Sequence, residues 1–207
     1  MNVQTLKKAV KSVSDIMTAN KDYLVQLDQQ NGDGDLGISM AAGFKAVSDY
    51  LSASGEEKDL GRLLMKCGAV FNEKAPSSLG TILSMGMMGM AKALKGREEA
   101  DTASLAAAME AGIASIMEKA KSKPGEKTVL DALCPGIEAL KRHSGEAPPA
   151  AWTEAAGAAA AGSESTRNMR SVHGRAAYYG DKSVGILDGG SVVGKLIFEG
   201  VAASLRE

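Results

Sequence analysis

Apolar side chains recur three and four positions apart along almost the whole of this 207-residue chain, and no strand-like alternation takes over anywhere. Only helices turn such a pattern into a continuous face, so the sequence restricts the fold to packed helices. The first run, 3–19, aligns Leu6, Val10, Val13, Ile16 and Met17. Asn20 and Asp22 punctuate it and open a short second helix with Tyr23, Leu24 and Leu27. A third restarts at Ser39 with Met40, Phe44, Val47 and Leu51, and a fourth starts near Asp59 with Leu60, Leu63, Leu64, Cys67, Val70 and Phe71. The fifth, 78–94, threads Gly80, Gly86 and Gly89 between Met85, Met87, Met88 and Met90. That stripe reads as adaptable core, and the glycines permit close backbone approach. Thr102 is expected to cap the sixth helix, which Lys123-Pro124-Gly125 stops. Pro135 interrupts the seventh, 128–143, where a kink or break is expected. An Ala-rich run, 150–169, reads as the eighth, and a last helix, 191–205, follows a glycine-rich irregular stretch. The expectation is one all-α domain over 1–207.

Composition narrows the function classes. Lys plus Arg is 24 against 25 for Asp plus Glu, a balance with no general pull toward nucleic acid or an acidic membrane. Cys67 and Cys134 sit in helical patterns without CxxC spacing or a nearby His, which reads as free thiols rather than a zinc site. Neither a signal-peptide core nor an uncharged run long enough to span a bilayer is present, so the expected location is cytoplasmic.

Charge of one sign is concentrated in Asp28-Gln29-Gln30-Asn31-Gly32-Asp33-Gly34-Asp35-Leu36-Gly37-Ile38-Ser39. Carboxylates crowded on a glycine-flexed loop repel one another unless a cation holds them, which points to a divalent metal. The stretch 32–37 matches GxGxxG literally, but the preceding residues are polar where a dinucleotide fold needs an apolar strand. An EF-hand counted from Asn31 fails at its twelfth position, which is Ala42 where Glu is required. What remains is a loop in which Asp28, Asp33 and Asp35 converge on Mg²⁺ while the following helix N-terminus attracts phosphate. Three further segments open helices with polar, glycine-bearing turns: Ala75-Pro76-Ser77-Ser78-Leu79-Gly80-Thr81, Pro124-Gly125-Glu126-Lys127-Thr128, and the late stretch from His173 to Gly190. The first two suit either phosphate contact or plain helix capping, and in the late stretch an Arg suits either phosphate binding through its planar fork or an ordinary surface position. No Walker A sequence exists, and His143 and His173 have no evident partners.

Three motifs stand in order: Asp28 with Gly32-Asp33-Gly34-Asp35-Leu36-Gly37; Gly125-Glu126-Lys127-Thr128-Val129-Leu130-Asp131; and Gly174-Arg175-Ala176-Ala177-Tyr178-Tyr179-Gly180 with Ser183-Val184-Gly185 and Asp188-Gly189. With them the chain resembles, nearly end to end, the nucleotide-binding L subunit of dihydroxyacetone kinase. The resemblance implies an eight-helix antiparallel barrel with ADP or ATP at one end. It implies two Mg²⁺ ions on Asp28, Asp33 and Asp35, with Leu36, Gly37, Ile38, Ser39, Ser77 and Ser78 near the phosphates. Thr128 and Val129 would meet the nucleotide, Val129 at the adenine, and Arg175, Asp188, Gly189 and Gly190 its remaining face. It implies a phosphotransferase subunit of the glycerone kinase type, active with a separate K subunit that holds the ketose. The donor is free ATP or a phosphoenolpyruvate relay through a phosphohistidine phosphocarrier. No catalytic residue is assigned. Two positions depart from the family's common pattern: Leu36 replaces a His, and Ala75-Pro76-Ser77-Ser78 replaces Gly-x-Ser-Gly. A catalytically idle ADP sensor and a purely structural bundle are the competing readings.

Overall fold

A computed structural model describes residues 1–206, and Glu207, the last residue of the expected domain, lies outside the described residues. Among them are nine α-helices: α1 (Val3–Ala19), α2 (Lys21–Asp28), α3 (Leu36–Ala53), α4 (Leu60–Lys74), α5 (Ser78–Ala93), α6 (Thr102–Ala120), α7 (Leu130–Arg142), α8 (Pro148–Ser165) and α9 (Gly189–Ser204). Two 3-10 segments, Thr166–Asn168 and Arg175–Ser183, connect α8 to α9. The only β pairing among the described residues is an isolated bridge between Asn2 and Glu99, so the all-α expectation holds.

Each long helix packs on the next in chain order from α3 to α9; α3 packs on α1, and α9 returns to α1. Eight helices thus form a closed ring, with short α2 lying against α3. The connections α2–α3, α4–α5, α6–α7 and α8–α9 surround one cavity. At the opposite end the Met1 amine donates to the Ala100 carbonyl, and the Gly96 N–H donates to the Asp59 carboxylate (3.0 Å), which ties the α5–α6 and α3–α4 connections together. Connections that alternate between two ends make neighbouring helices antiparallel, which is the barrel implied by the family resemblance.

The ring's apolar faces bury Met17, Met40, Leu63, Phe71, Leu130, Leu140 and Phe198 almost completely. Phe44 meets Phe71 edge-on at 4.8 Å between ring centroids, joining α3 to α4, and Trp152 meets Phe198 at 5.7 Å, joining α8 to α9. Met87 and Met90 line an apolar cavity of about 180 Å³ and so serve as core, whereas Met88 is exposed. Where α5 crosses α6, a Cβ added at Gly89 would stand 2.7 Å from the Ala111 carbonyl oxygen. That crossing needs a residue with no side chain.

Several helix ends differ from the sequence-based expectation. α3 begins at Leu36 rather than Ser39, because the Ser39 N–H is already bonded to the Asp35 carbonyl (2.9 Å). α6 is capped by Asp101, whose carboxylate accepts the Ser104 N–H (2.7 Å); Thr102 is the first helical residue. α7 begins at Leu130 rather than 128, since the Asp131 carboxylate takes the Thr128 N–H (2.7 Å). α8 ends at Ser165 and tightens into a 3-10 turn instead of reaching 169. Cys134 is only partly buried, while Cys67 is fully buried; both are free.

α7 runs through Pro135 without a break. The proline has no N–H for the Asp131 carbonyl one turn earlier. Gly162 of α8 sits against that same carbonyl, since a Cβ there would lie 2.1 Å from its oxygen and 2.6 Å from Pro135 Cγ. Gly157, on the same helix, has nothing within 4 Å of such a Cβ. Two substitutions on α8 therefore have opposite expected signs. Gly162→Ala lowers unfolding free energy by about 1–3 kcal/mol through overpacking, and Gly157→Ala raises it by roughly 0.5–1 kcal/mol through helix propensity. Urea denaturation of the pair, with equal m-values, checks both.

Candidate active site

The four connections at one end enclose an open cavity of about 710 Å³. Its wall includes Asp28, Asp33, Asp35 and Leu36 from the first connection, and Pro76, Ser77 and Ser78 from the second. Lys127, Thr128 and Val129 come from the third, and His173, Arg175, Asp188, Gly189 and Gly190 from the last. Residues separated by up to most of the chain are thus brought together.

In the acidic loop, Asp28 closes α2 and its carboxylate accepts the Gly34 N–H (2.8 Å). Gly34 has φ +79°, a left-handed conformation that favours glycine, and this bends the chain back over Asp28. Asp28, Asp33 and Asp35 each offer an oxygen, all within 4.8 Å of one another. Partial burial raises the Asp35 pKa, and the Asp33 and Asp28 charges raise it further, against the opposing Arg175. Three hard oxygens that repel one another form a donor set suited to Mg²⁺. The Arg175 guanidinium pairs with Asp33 at 2.7 Å, with both side chains largely exposed, so this contact is weak and readily exchanged.

Of the four residues 36–39, only Leu36 reaches the cavity wall. Gly37 turns toward α2, where a Cβ would lie 2.1 Å from the Lys21 carbonyl oxygen. Ile38 is exposed outside the cavity, and buried Ser39 donates its hydroxyl to the Leu36 carbonyl (3.1 Å). Of the residues expected beside the phosphates, Leu36 therefore lines the cavity, while Gly37, Ile38 and Ser39 stand behind it in the first turn of α3. Starting the helix at Leu36 turns the Ser39 side chain onto the barrel and the Ile38 side chain away from it. Leu36 itself lies over Gly189, where an added Cβ would meet its Cδ2 at 2.5 Å.

Ser77 caps α5, its Oγ accepting the Gly80 N–H (3.1 Å), and Ser78 begins the helix beside it. In the third connection the buried Asp131 carboxylate accepts the N–H groups of Gly125 (2.5 Å) and Thr128 (2.7 Å), which fixes the turn that presents buried Val129. Gly190 faces Val129 across the cavity floor. Asp188 caps α9 by accepting the Ser191 N–H (2.6 Å), and its own N–H donates to Thr166 Oγ1 (3.1 Å). Burial pushes the Asp188 carboxyl up to about 7, with the Ser191 N–H and the Lys127 charge holding it down and Asp131 and Asp28 adding to the rise.

Sequence reasoning missed the partners of three residues here. His173 Nε2 lies 2.6 Å from Glu126, joining the third and fourth connections, and its presence lowers the Glu126 pKa. His143 pairs with Glu146 at 2.7 Å, far from the cavity. The Lys127 ammonium is buried and donates to the carbonyls of Thr166 (2.9 Å), Met169 (3.2 Å), Ser183 (2.6 Å) and Ile186 (2.5 Å). Burial lowers its pKa, opposed by Asp188. Its acceptors lie 39 to 59 residues further along the chain, so no local signal marks it.

A family model described as the DAK2 domain matches residues 30–203. The chain is 28% identical over 195 residues to the ADP-binding subunit DhaL of the PEP-dependent dihydroxyacetone kinase of Escherichia coli (strain K12), covering 93% of this chain and 92% of that protein. It is 32% identical over 179 residues to the ADP-binding subunit DhaL of PEP-dependent dihydroxyacetone kinase 1 of Listeria innocua, covering 86% and 85%. It is also 30% identical over 201 residues to the L-erythrulose kinase of Pectobacterium atrosepticum, of which it spans 34%. Among solved structures, the dihydroxyacetone kinase from C. freundii in complex with AMP-PNP and Mg²⁺ superposes with a TM-score of 0.76 at 24% identity. That match covers 96% of this chain and 33% of the other, and it establishes a common fold.

The Asp188 carboxyl has a consequence for stability against pH. An unfolded Asp titrates near about 3.9. Because the folded carboxyl titrates near 7, the folded chain holds the extra proton in the window between, and this group's contribution to stability falls as pH rises through it. Asp188→Asn keeps an acceptor for the Ser191 N–H but cannot ionise. Relative to wild type, the variant should therefore gain in unfolding free energy between about pH 4 and 7, as measured by urea denaturation across that range. Parallel curves would show that folding leaves the Asp188 pKa where it is in the unfolded chain.

Proposed function

Since the chain belongs to the DAK2 domain family, we propose that it is the nucleotide-binding, phosphoryl-transferring subunit of a kinase for dihydroxyacetone or a related short ketose. The observation that carries this reading is the convergence of the three carboxylates with the ends of three other connections on one open cavity. The DhaL relatives, matched over most of their length, carry the description ADP-binding. The L-erythrulose kinase relative supports a short ketose as the acceptor class.

Phosphoryl transfer asks a protein mainly for positioning and for compensation of charge. Asp28, Asp33 and Asp35 are ligands for Mg²⁺, two ions by family resemblance, and not general bases. When bound, Mg²⁺ neutralises charge on the nucleotide phosphates. Arg175, held by nothing stronger than one exposed ion pair, swings its planar fork onto phosphate oxygens. Ser77 and the N-terminus of α5 supply neutral donors on the facing wall. Val129 supplies apolar surface that suits an adenine ring, with Gly189 and Gly190 beside it in the cavity wall. The acceptor sugar is held by a separate ketose-binding K subunit docked over the cavity mouth. A phosphohistidine phosphocarrier recharges bound ADP, or ATP exchanges freely. The whole of 1–207 acts as one nucleotide-binding domain.

One observation favours a second reading. Leu36 places an apolar side chain against Gly189, at the position where the family resemblance implies a His. A protein with this substitution is equally suited to sensing ADP without turnover. Mixing the chain with a ketose-binding subunit, dihydroxyacetone and either donor separates the two, because only the kinase yields the phosphorylated sugar.

Asp33→Asn should retain full helical circular dichroism and lose Mg²⁺-dependent ADP binding by more than the roughly 10–100-fold that outer-shell changes cost at metal sites. Unchanged affinity by calorimetry would remove the metal loop from the proposal. Mass analysis of nucleotide released from the denatured wild-type chain, with no ADP found and none bound on addition, would sink the nucleotide reading itself.

A further inference from the structure

Lys127 stands in the wall of the cavity, yet its ammonium is saturated by main-chain oxygens. An ammonium has three protons, and four carbonyls lie 2.5–3.2 Å from the nitrogen. Nothing remains to hold a phosphate. The acceptors fall in two pairs. Thr166 and Met169 stand where the chain leaves α8, and Ser183 and Ile186 where it approaches α9. Between the pairs lies the excursion that carries His173 and Arg175, and Asp188 follows two residues after the last acceptor. Lys127 adopts φ +61°, a left-handed conformation that a residue with a side chain keeps only when its surroundings impose it. The buried stem and its four-oxygen anchorage impose it here.

We propose that Lys127 is a positioning residue that acts as a tethered monovalent cation. It closes both ends of the 166–186 excursion onto the third connection, and through that clasp it sets the places of Arg175 and Asp188. Rings of backbone carbonyls can replace the hydration shell of potassium, and an ammonium ion carries the same charge and the same kind of donors as the lysine head. In this chain the cation is covalently attached. The effect on ligand affinity rests on the nucleotide-binding reading, whereas the clasp rests on the hydrogen bonds alone.

The test uses Lys127→Ala, which opens room for a free cation, and Lys127→Met, which keeps the stem and fills the room. Hydrogen exchange of amides in 167–187 and calorimetric Mg²⁺–ADP binding are measured at equal ionic strength in ammonium, potassium or N-methylglucamine chloride. In N-methylglucamine, exchange in 167–187 should accelerate in both variants, while α1 and α4 stay protected. Both variants lose all of the ammonium's charge-assisted bonds, each worth roughly tenfold or more, so the acceleration should be on the order of a hundredfold or more. Ammonium or potassium should restore both protection and ADP affinity in Lys127→Ala and neither in Lys127→Met. A structural vacancy alone would show no such cation selectivity. Wild-type protection in Lys127→Ala, or a loss that ammonium and potassium leave unchanged, overturns the proposal. If neither variant folds, an amine-acylating reagent applied to the wild-type chain decides: Lys127 must stay unmodified while exposed Lys8 reacts, and equal rates overturn the clasp. A wild-type chain that binds no ADP would defeat the nucleotide reading, and the exchange data would still judge Lys127.

Discussion

An even number of helices running up and down around a ring must send alternate connections to opposite ends. Everything at the candidate site depends on that constraint. The ring closes through the contact of α9 with α1, where Gly200 lets the backbones approach until an added Cβ would lie 2.8 Å from Val13 Cα. With the seam shut, the connection after α2 and the connection before α9 become neighbours, although they are far apart in sequence. Asp33 can then meet Arg175, and Leu36 can lie on Gly189. Without closure the same side chains would sit at the two edges of an open layer.

The charges at this end fall into two groups with different physics. Asp28, Asp33 and Asp35 stay near water, and their mutual repulsion is relieved only in part by one exposed arginine. Lys127, Asp131 and Asp188 are drawn inward, and each is satisfied mainly by backbone: carbonyls for the lysine, N–H groups for the two carboxylates. The outer group is poised to exchange partners, whereas the inner group fixes the turns on which the outer group stands. A rigid frame carrying a loosely held charge cluster is what a site for a polyanion and its counter-ions requires.

The sequence made some of this legible and concealed the rest for definite reasons. Helix α1 appears at 3–19 as its periodicity predicts, because Asn2 caps it and its apolar spacing is unbroken. The acidic loop announces itself by charge density alone. The bound of α3 shifts because the Asp35 carbonyl already accepts the Ser39 N–H, and that of α7 because the Asp131 carboxylate takes the Thr128 N–H, choices that depend on how the loops pack. Pro135 implies a kink or break, yet α7 is continuous there; a glycine on the neighbouring helix covers the carbonyl the proline leaves free, and that pairing is invisible along one chain. The partners of Lys127 and His173 are hidden in the same way, since only the folded ring brings 126–127 to 166–186. The later site motifs were weak individually, and their common role rested on family resemblance rather than on any local rule.

Both chain ends of the described barrel leave it on the side away from the cavity. The Met1 amine is tied to the α5–α6 connection, and Arg206 reaches Thr153 near the start of α8. A polypeptide joined at either terminus therefore departs without crossing the mouth of the cavity. The fold is portable: it can be spliced into a larger protein or released as a separate chain without rebuilding its working face. Relatives in which the matched region is about a third of the length, beside others matched almost whole, are the evolutionary outcome such geometry permits.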